Sequence, residues 1–591
     1  DALTKAKVIV SMSELENETS SVSTYVLPIN HTLESWGDGQ VRNNIMSLQQ
    51  PVISPLYNTR EKEAVLLNWI NGGSKYNFDI YYNYVKARWQ TEVYPKFNSA
   101  TDFEAFWNNT LHDGVVTIQE TPTETYVFNS AVLSGLSSAK KSGITVIFTE
   151  SSTIGDGKYV SNGFLQETPH PITKVTWDNT ANISVNTAKK LGLDFQDVVQ
   201  LTINGKSANL PVVVQPGMAD DVVTVDLGYG RPVAGEIGSD IGTDVNSLRT
   251  SNGITPWIFT GAKLVKVEGQ YKLASTQEHH QMDETVGASI LGDSAYKISE
   301  IHTERQIIQE SEVETYLKDN EVISRNKHNT KSVMSNFKYP GIKWAMAIDM
   351  NKCTGCNACI TSCNVESNIP VVGKDQVLIG REMQWMRMDR YYSGEADNPR
   401  VSIQPMLCQH CDNAPCENVC PVVATTHSPE GINQMVYNRC VGTRYCANNC
   451  PYKVRRYNFF DFRDNLAEGY YYALSMQQMY NPEVTVRSRG VVEKCDFCYS
   501  RIADAKAQAT RHGEEFTGAD IRTACQEACP AEAIYFGNSN DPNSAVSKLR
   551  QHDLGYHVME VLDVKPNVTY IAKLNNIVPE QENTKGHNSA H

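Results

Sequence analysis

All fifteen cysteines of this 591-residue chain fall between Cys353 and Cys529, and they fall in four groups. The first is Cys353, Cys356, Cys359 and Cys363, spaced C-x2-C-x2-C-x3-C. The second is Cys408, Cys411, Cys416 and Cys420, with four residues in its middle gap. The third is Cys440, Cys446 and Cys450, with Thr443 where the rhythm of the first group puts a cysteine. The fourth is Cys495 and Cys498, then 26 intervening residues, then Cys525 and Cys529. Pro421, Pro451 and Pro530 follow the last cysteine of three groups, and Asn364 takes that place in the first. Thiols so closely spaced in a long chain read as metal ligands rather than disulfides.

The spacing also selects the metal. Three thiolates at two-residue intervals wrap one face of a cubane while backbone amides point at its sulfurs, and the fourth cysteine reaches the neighbouring cluster. Soft thiolates suit iron–sulfur clusters, whereas zinc prefers two separated C-x2-C pairs. The fourth group alone has a zinc-like separation; beside the other three it reads as iron–sulfur. Exchange of fourth ligands pairs the groups, two with three by adjacency and one with four by nesting. One [4Fe-4S] cluster then uses Cys353, Cys356, Cys359 and Cys529. A second uses Cys495, Cys498, Cys525 and Cys363, and a third Cys408, Cys411, Cys416 and Cys450. The last site has Cys420, Cys440 and Cys446 alone, which favours [3Fe-4S]. A [4Fe-4S] cluster with water or the Thr443 hydroxyl on its fourth iron stays open. One thiolate fewer predicts a higher potential, and about 59 mV is a tenfold shift for one electron.

The rest of the sequence narrows the class. The net charge of −14 gives no basic footprint for nucleic acid. No apolar run approaches the roughly 18 to 20 residues of a membrane span. No C-x2-C is followed by His, so no c-type haem attaches here, and neither a phosphate loop nor a G-x-S-x-G elbow is present. His410 and His427 read as surface or hydrogen-bonded histidines rather than ligands. Lys453, Arg455 and Arg456 read as a solvated or interface face, with a second role in raising nearby cluster potentials electrostatically.

A chain of this length exceeds one core. Residues 1–176 look α/β: strands are predicted at Lys7–Val10, ending at Tyr25–Pro28, and at Ile144–Phe148, with helices at Glu61–Ile70 and Phe78–Gln90. The first strand has almost nothing before it, so the chain is expected to begin inside a domain. A helix from Asn186 or Thr187 stops at Gly192. Short strands at Val198–Ile203, Ala208–Val214 and Val222–Val225, with turns at Asn204-Gly205 and Pro216-Gly217, predict a small β barrel. Glu300–Leu317 reads as a charged helix, Lys318–Tyr339 as a linker, and Pro579–His591 as a polar, disordered tail.

The four boxes in this order resemble the iron–sulfur subunits of the complex iron–sulfur molybdoenzyme family, two pseudo-symmetric ferredoxin folds whose pairing supports the one above. CTGCNAC from Cys353, NIPVVGK from Asn368, GREM from Gly380, VYNRCVGTRYC from Val436 and NCPYKVRRYNFF from Asn449 resemble more closely the iron–sulfur subunit of bacterial alternative complex III. Glu18-Thr19, Tyr25–Pro28, Glu34–Asp38 and Gln50-Pro51 resemble the late part of a molybdopterin-enzyme α/β domain. Gly155–Gly157, Leu165–Glu167 and Trp177–Asn179 resemble the entry to its last domain, and Thr187–Gly192, Pro216-Gly217 and Leu227–Arg231 its barrel.

The resemblance implies an α+β multidomain chain. Residues 1–176 would be the late part of a molybdopterin-oxidoreductase-like α/β domain, 177–300 a β-barrel domain, and 301–340 a helix and linker. Residues 341–575 would be a double ferredoxin-like domain with four clusters, and 576–591 a polar tail. It implies an electron relay with three [4Fe-4S] clusters and one [3Fe-4S] cluster, and no molybdopterin, since a pterin enzyme needs several hundred residues before Asp1. The implied partners are a polytopic quinol-binding membrane subunit, multihaem and monohaem cytochrome c subunits and a terminal oxidase, on the periplasmic side of the bacterial inner membrane. The first region would be a retired enzyme domain that docks partners. The alternative is a fused catalytic and electron-transfer subunit of a molybdopterin enzyme, such as a polysulfide or tetrathionate reductase.

Overall fold

Apolar residues at helical spacing build the first of two units. Phe103, Phe106, Trp107 and Thr110 are all buried on one face of the helix Phe103–Asp113. Its Asp102 side chain accepts from the Ala105 amide, and Gly114 ends it in the left-handed region. The computed structural model describes residues 3–73, 75–97, 101–119, 127–131, 143–250, 255–277, 307–324, 337–393, 398–463 and 477–576. The unit spans Asp1–Lys140 and takes back Arg231–Asp240. The helix packs with Ile80–Arg88 on an antiparallel sheet of Gly37–Arg42, Ile45–Gln49 and Val115–Thr117, and Lys62–Ile70 packs on Ile80–Arg88. Asp38 locks sheet to helix, accepting from Arg88 Nη1 at 2.7 Å and the Trp89 indole at 2.8 Å. The first strand is Val10–Ser13, not Lys7–Val10, because the parallel register with Tyr25–Pro28 starts at Val10.

The second unit runs from Lys141 to Gly230 and from Ile241 to His591. Its first part is a closed six-stranded barrel: Lys206–Val214, Ala181–Ile183, Val222–Asp226, Ile144–Thr149, Ile258–Gln270 and Asp197–Ile203. Alternation makes it close. Val199, Leu201 and Ile203 point inward on one stave, Leu210 and Val212 on the next. Asn204 and Gly205 both take positive φ, 50° and 83°, as a two-residue hairpin requires. The helix Val185–Leu191 is capped by Ser184 and stops at Gly192, φ 65°. One expectation is corrected here. Ile144–Thr149, placed above in the α/β region, is a stave pairing with Val222–Asp226 and Ile258–Gln270, so the boundary lies near residue 140 rather than 176.

The cysteine-bearing part is built on a four-stranded sheet, Ile534–Asn538, Trp344–Asp349, Val568–Ile571 and Gly555–Tyr556. Trp344–Asp349 is its inner strand, and period two divides its faces. Ala345 and Ala347 leave room for the helix Ala545–Arg550 through Val546. Trp344, Met346 and Ile348 face a core shared with the cysteines. The charged helix expected over Glu300–Leu317 is corrected. Among its described residues, Glu310–Glu312 is a strand parallel to Lys573–Asn575 and Val313–Lys318 is helical, while residues 300–306 lie outside the described residues. Most of the expected linker and the tail from Pro579 lie outside the described residues.

Candidate iron–sulfur centres

Loops in the left-handed region place the thiols. In the first group Gly355 (φ 72°) and Asn357 (φ 65°) turn the chain before the helix Ala358–Glu366. In the third, Gly442 (φ 72°) and Arg444 (φ 61°) do the same before Tyr445–Asn448. The two loops repeat residue for residue, with Cys356 and Thr443 at equivalent places. Space at these glycines is already taken: a Cβ on Gly442 would sit 2.3 Å from the Gly490 carbonyl oxygen.

The structure brings the fifteen thiols together in four sets. Cys353, Cys356, Cys359 and Cys529 line one cavity, and Cys363, Cys495, Cys498 and Cys525 a second. The exchange between them has a simple cause. Cys359 and Cys363 sit one turn apart on the helix Ala358–Glu366, which packs against Ala524–Glu527 carrying Cys525. Cys408, Cys411, Cys416 and Cys450 are buried together in the core; burial pushes the Cys411 thiol well up, with Cys408, Cys450 and Cys416 adding to it. Cys420, Cys440 and Cys446 line a further cavity with Thr443 and Gly442. All fifteen thiols are free.

The sets adjoin in order. Burial raises the Cys359 thiol, and Cys525 of the second set is the largest charge opposing its ionisation. Burial raises the Cys495 thiol of the second set, and after Cys363 of its own set the next charge opposing its ionisation is that of Cys408 of the third. One guanidinium, Arg455, hydrogen-bonds Cys416 of the third set at 3.0 Å and reaches Met435 Sδ, which lines the cavity of the fourth, at 3.7 Å.

The donors fit iron–sulfur clusters. Backbone N–H groups point at the sulfurs, as a sulfur-rich anion requires: Ala424 to Cys420 at 3.2 Å, Ala533 to Cys529 at 3.3 Å and Ala524 to Cys498 at 3.4 Å. Partial burial raises the Cys420 thiol, but the amides of Val422, Thr425 and Ala424 and the charge of Arg455 outweigh it and hold it below the usual range. Among the described residues no three His, Cys, Asp or Glu converge on one point as ligands of a single ion would; the thiols surround spaces instead.

Supporting residues differ from expectation. Arg455 is no solvated face but is 6% exposed. It was misread because a run of Lys and Arg is ordinarily solvated, and only its position next to the third group hinted otherwise. Arg456 pairs with buried Glu382 at 2.8 Å, and only Lys453 of the three is exposed. Lys494, passed over in the sequence, is fully buried and donates to the carbonyls of Asn433 and Cys495. Arg487 and Glu493 form a fully buried pair at 2.7 Å, and Arg487 also donates to the Ser367 and Asn368 carbonyls after the first box. His410 stacks on Phe497 at 3.7 Å and accepts from the Asn433 amide; burial holds it well below its usual pKa, reinforced by Lys494, His427 and Arg455. His427 pairs with Glu417 at 2.7 Å.

Comparison with known proteins gives the same chemistry. Residues 352–424 and 399–461 each match a 4Fe-4S dicluster domain family. The iron-sulfur cluster-binding subunit of menaquinone reductase from Nitratidesulfovibrio vulgaris is 39% identical over 246 residues, 41% of this chain and 92% of that protein. The Hdr-like menaquinol oxidoreductase iron-sulfur subunit 1 of Archaeoglobus fulgidus is 35% identical over 39% of this chain and 84% of its own length. Among solved structures, acetylene hydratase from Pelobacter acetylenicus is similar at a TM-score of 0.31 and 12% identity, over 45% of this chain and 41% of that one, too slight a likeness to carry an argument. Among the described residues no helix is long and apolar enough to cross a membrane. With four sets of cysteines in a ferredoxin-like core and relatives matched over most of their length, this chain belongs to the family of iron–sulfur electron-transfer subunits of oxidoreductase complexes.

Proposed function

We propose that this chain is the electron-relay subunit of a membrane-associated, quinol-oxidising respiratory complex of the alternative complex III kind. Three sites, each with four thiols in the grouping above, hold [4Fe-4S] clusters, and Cys420, Cys440 and Cys446 hold a [3Fe-4S] cluster. Bound clusters supply one-electron donors and acceptors. The chain supplies the thiolates, the amides that hydrogen-bond them and a dry core between adjoining sites. The observation that carries this reading is Thr443 at the loop position where Cys356 stands in the first group.

Electrons enter at the fourth site from a quinol held by a polytopic partner and leave towards c-type haem subunits, on the periplasmic side of the bacterial inner membrane. The surroundings of that site support docking to an apolar partner: Val423, Val441 and Tyr445 are 58%, 65% and 56% exposed around its thiols. The name of the menaquinol oxidoreductase relative supports quinol as donor, and that of the menaquinone reductase relative supports a quinone-pool partner with the opposite direction of flow. Purifying the complex from membranes tests the proposal. A co-purifying polytopic membrane protein and c-type cytochromes, with molybdenum and tungsten far below one atom per chain, are expected. Stoichiometric molybdenum or tungsten would replace it with a fused molybdopterin reductase.

A further inference from the structure

Arg455 is a buried cation that no carboxylate pairs with among the described residues. Nη2 donates to Cys416 Sγ at 3.0 Å and to Asn433 Oδ1 at 2.9 Å, and Nη1 to Thr425 Oγ1 at 3.1 Å. Nη1 also reaches Met435 Sδ at 3.7 Å, and Met435 lines the fourth cavity with Cys420, Cys440 and Cys446. The charges acting most strongly on it are those of Cys416, Cys408, Cys446 and Cys450. Two of its partners, Thr425 Oγ1 and Asn433 Oδ1, are neutral oxygens. A guanidinium withdrawn from water this far is costly unless an anion compensates it. Its site therefore presupposes negative charge on the thiol sets of the third and fourth sites beside it.

We infer that Arg455 is the shared counter-charge of the third and fourth sites and raises the reduction potentials of both together. The inference rests on the reading of these cavities as cluster sites. Its electrostatics are direct. Adding one electron to either site makes it more negative, with no bond made or broken; the quinol of the proposed function is the source. A fixed positive charge at hydrogen-bond distance favours the more negative form, so the potential rises. Because one guanidinium serves two sites, the effects cannot be separated by any single loss of its charge. Backbone amides hydrogen-bond Cys529 of the first site and Cys498 of the second, and none of the hydrogen bonds of Arg455 goes to a thiol of either.

Arg455 is thus a positioning residue that acts through the thiolates. The test is potentiometric titration of the purified complex, followed by low-temperature EPR, in wild type, Arg455→Gln and Arg455→Lys, with iron measured in each. In Arg455→Gln at unchanged iron, the reduction constants of the third and fourth sites are expected to fall at least tenfold each, about 59 mV for one electron, while the other two hold. A fall in only one of the pair, or in neither, overturns the inference and leaves the relay standing. Should Arg455→Gln lose iron, Arg455→Lys decides. It keeps the charge but not the fork, so the two midpoints should separate, one falling and the other holding; two unchanged midpoints overturn it. A wild-type complex with no iron–sulfur signals would instead sink the proposed function itself.

Discussion

Thr443 and Cys356 occupy the same place in two loops that share a left-handed glycine and a left-handed residue two positions on. A thiol at 443 would complete the set of Cys420, Cys440 and Cys446 without rebuilding the loop. Thr443→Cys is therefore expected to convert the fourth site from [3Fe-4S] to [4Fe-4S]. The added thiolate puts more negative charge on the cluster, so its reduction constant should drop by at least a factor of ten, about 59 mV. EPR of the oxidised variant should lose the [3Fe-4S] signal; retention of that signal with full iron loading would show that Thr443 does not stand at a ligand position. Arg455 shows the opposite lesson at this scale. A basic run ordinarily faces water, and nothing in the local sequence around Arg455 distinguishes it from Lys453. Its burial comes from packing against Cys416, Asn433 and Thr425, which lie up to 39 residues away in sequence.

At the scale of elements, the segment Gly163–Glu167 attaches the barrel region to the ferredoxin-like part within the second unit. Glu167 accepts from the Val372 amide at 3.0 Å and the Gly373 amide at 2.8 Å, Gln384 donates to its carbonyl at 2.8 Å, and Lys374 meets Asp178 at 2.6 Å. Burial pushes the Glu167 carboxyl up to about 7, against those two amides and with Glu382 adding to it. A pKa raised from 4.5 means that the folded state binds a proton the unfolded chain releases. The stability this supplies is complete below about 4.5 and is lost as the pH rises through about 7. At roughly 1.4 kcal/mol per unit, it amounts to a few kcal/mol at most. Glu167→Gln carries no such loss, so its Tm relative to wild type should be more favourable at pH 8 than at pH 5. A difference that stays constant over that range would refute the assignment. Local signals of this scale were legible in the sequence: the Asn204-Gly205 hairpin, the stop at Gly192 and the strands between them. Non-local pairings were not. Nothing within Ile144–Thr149 says that it joins a barrel whose other staves begin at residue 181, and nothing within Glu310–Glu312 announces a partner at Lys573–Asn575.

For the whole molecule, the cysteines proposed as ligands are also core. Eleven thiols belong to, or pack against, the one apolar cluster that holds Trp344, Met346 and Ile348, while the barrel keeps a core of its own. The cysteine rhythm made this division visible from the start, because the first 352 residues hold no cysteine at all. The order of the four sites along the core was not visible; it follows from which thiols face each other across helices and from Arg455 between the last two. The central claim is that three of these sites carry four thiolates and the fourth carries three. It is tested most directly by iron quantification and low-temperature EPR of the air-oxidised complex. The account predicts about fifteen iron atoms per chain and a [3Fe-4S] signal integrating to about one spin per chain. About sixteen iron atoms with no [3Fe-4S] signal would contradict it.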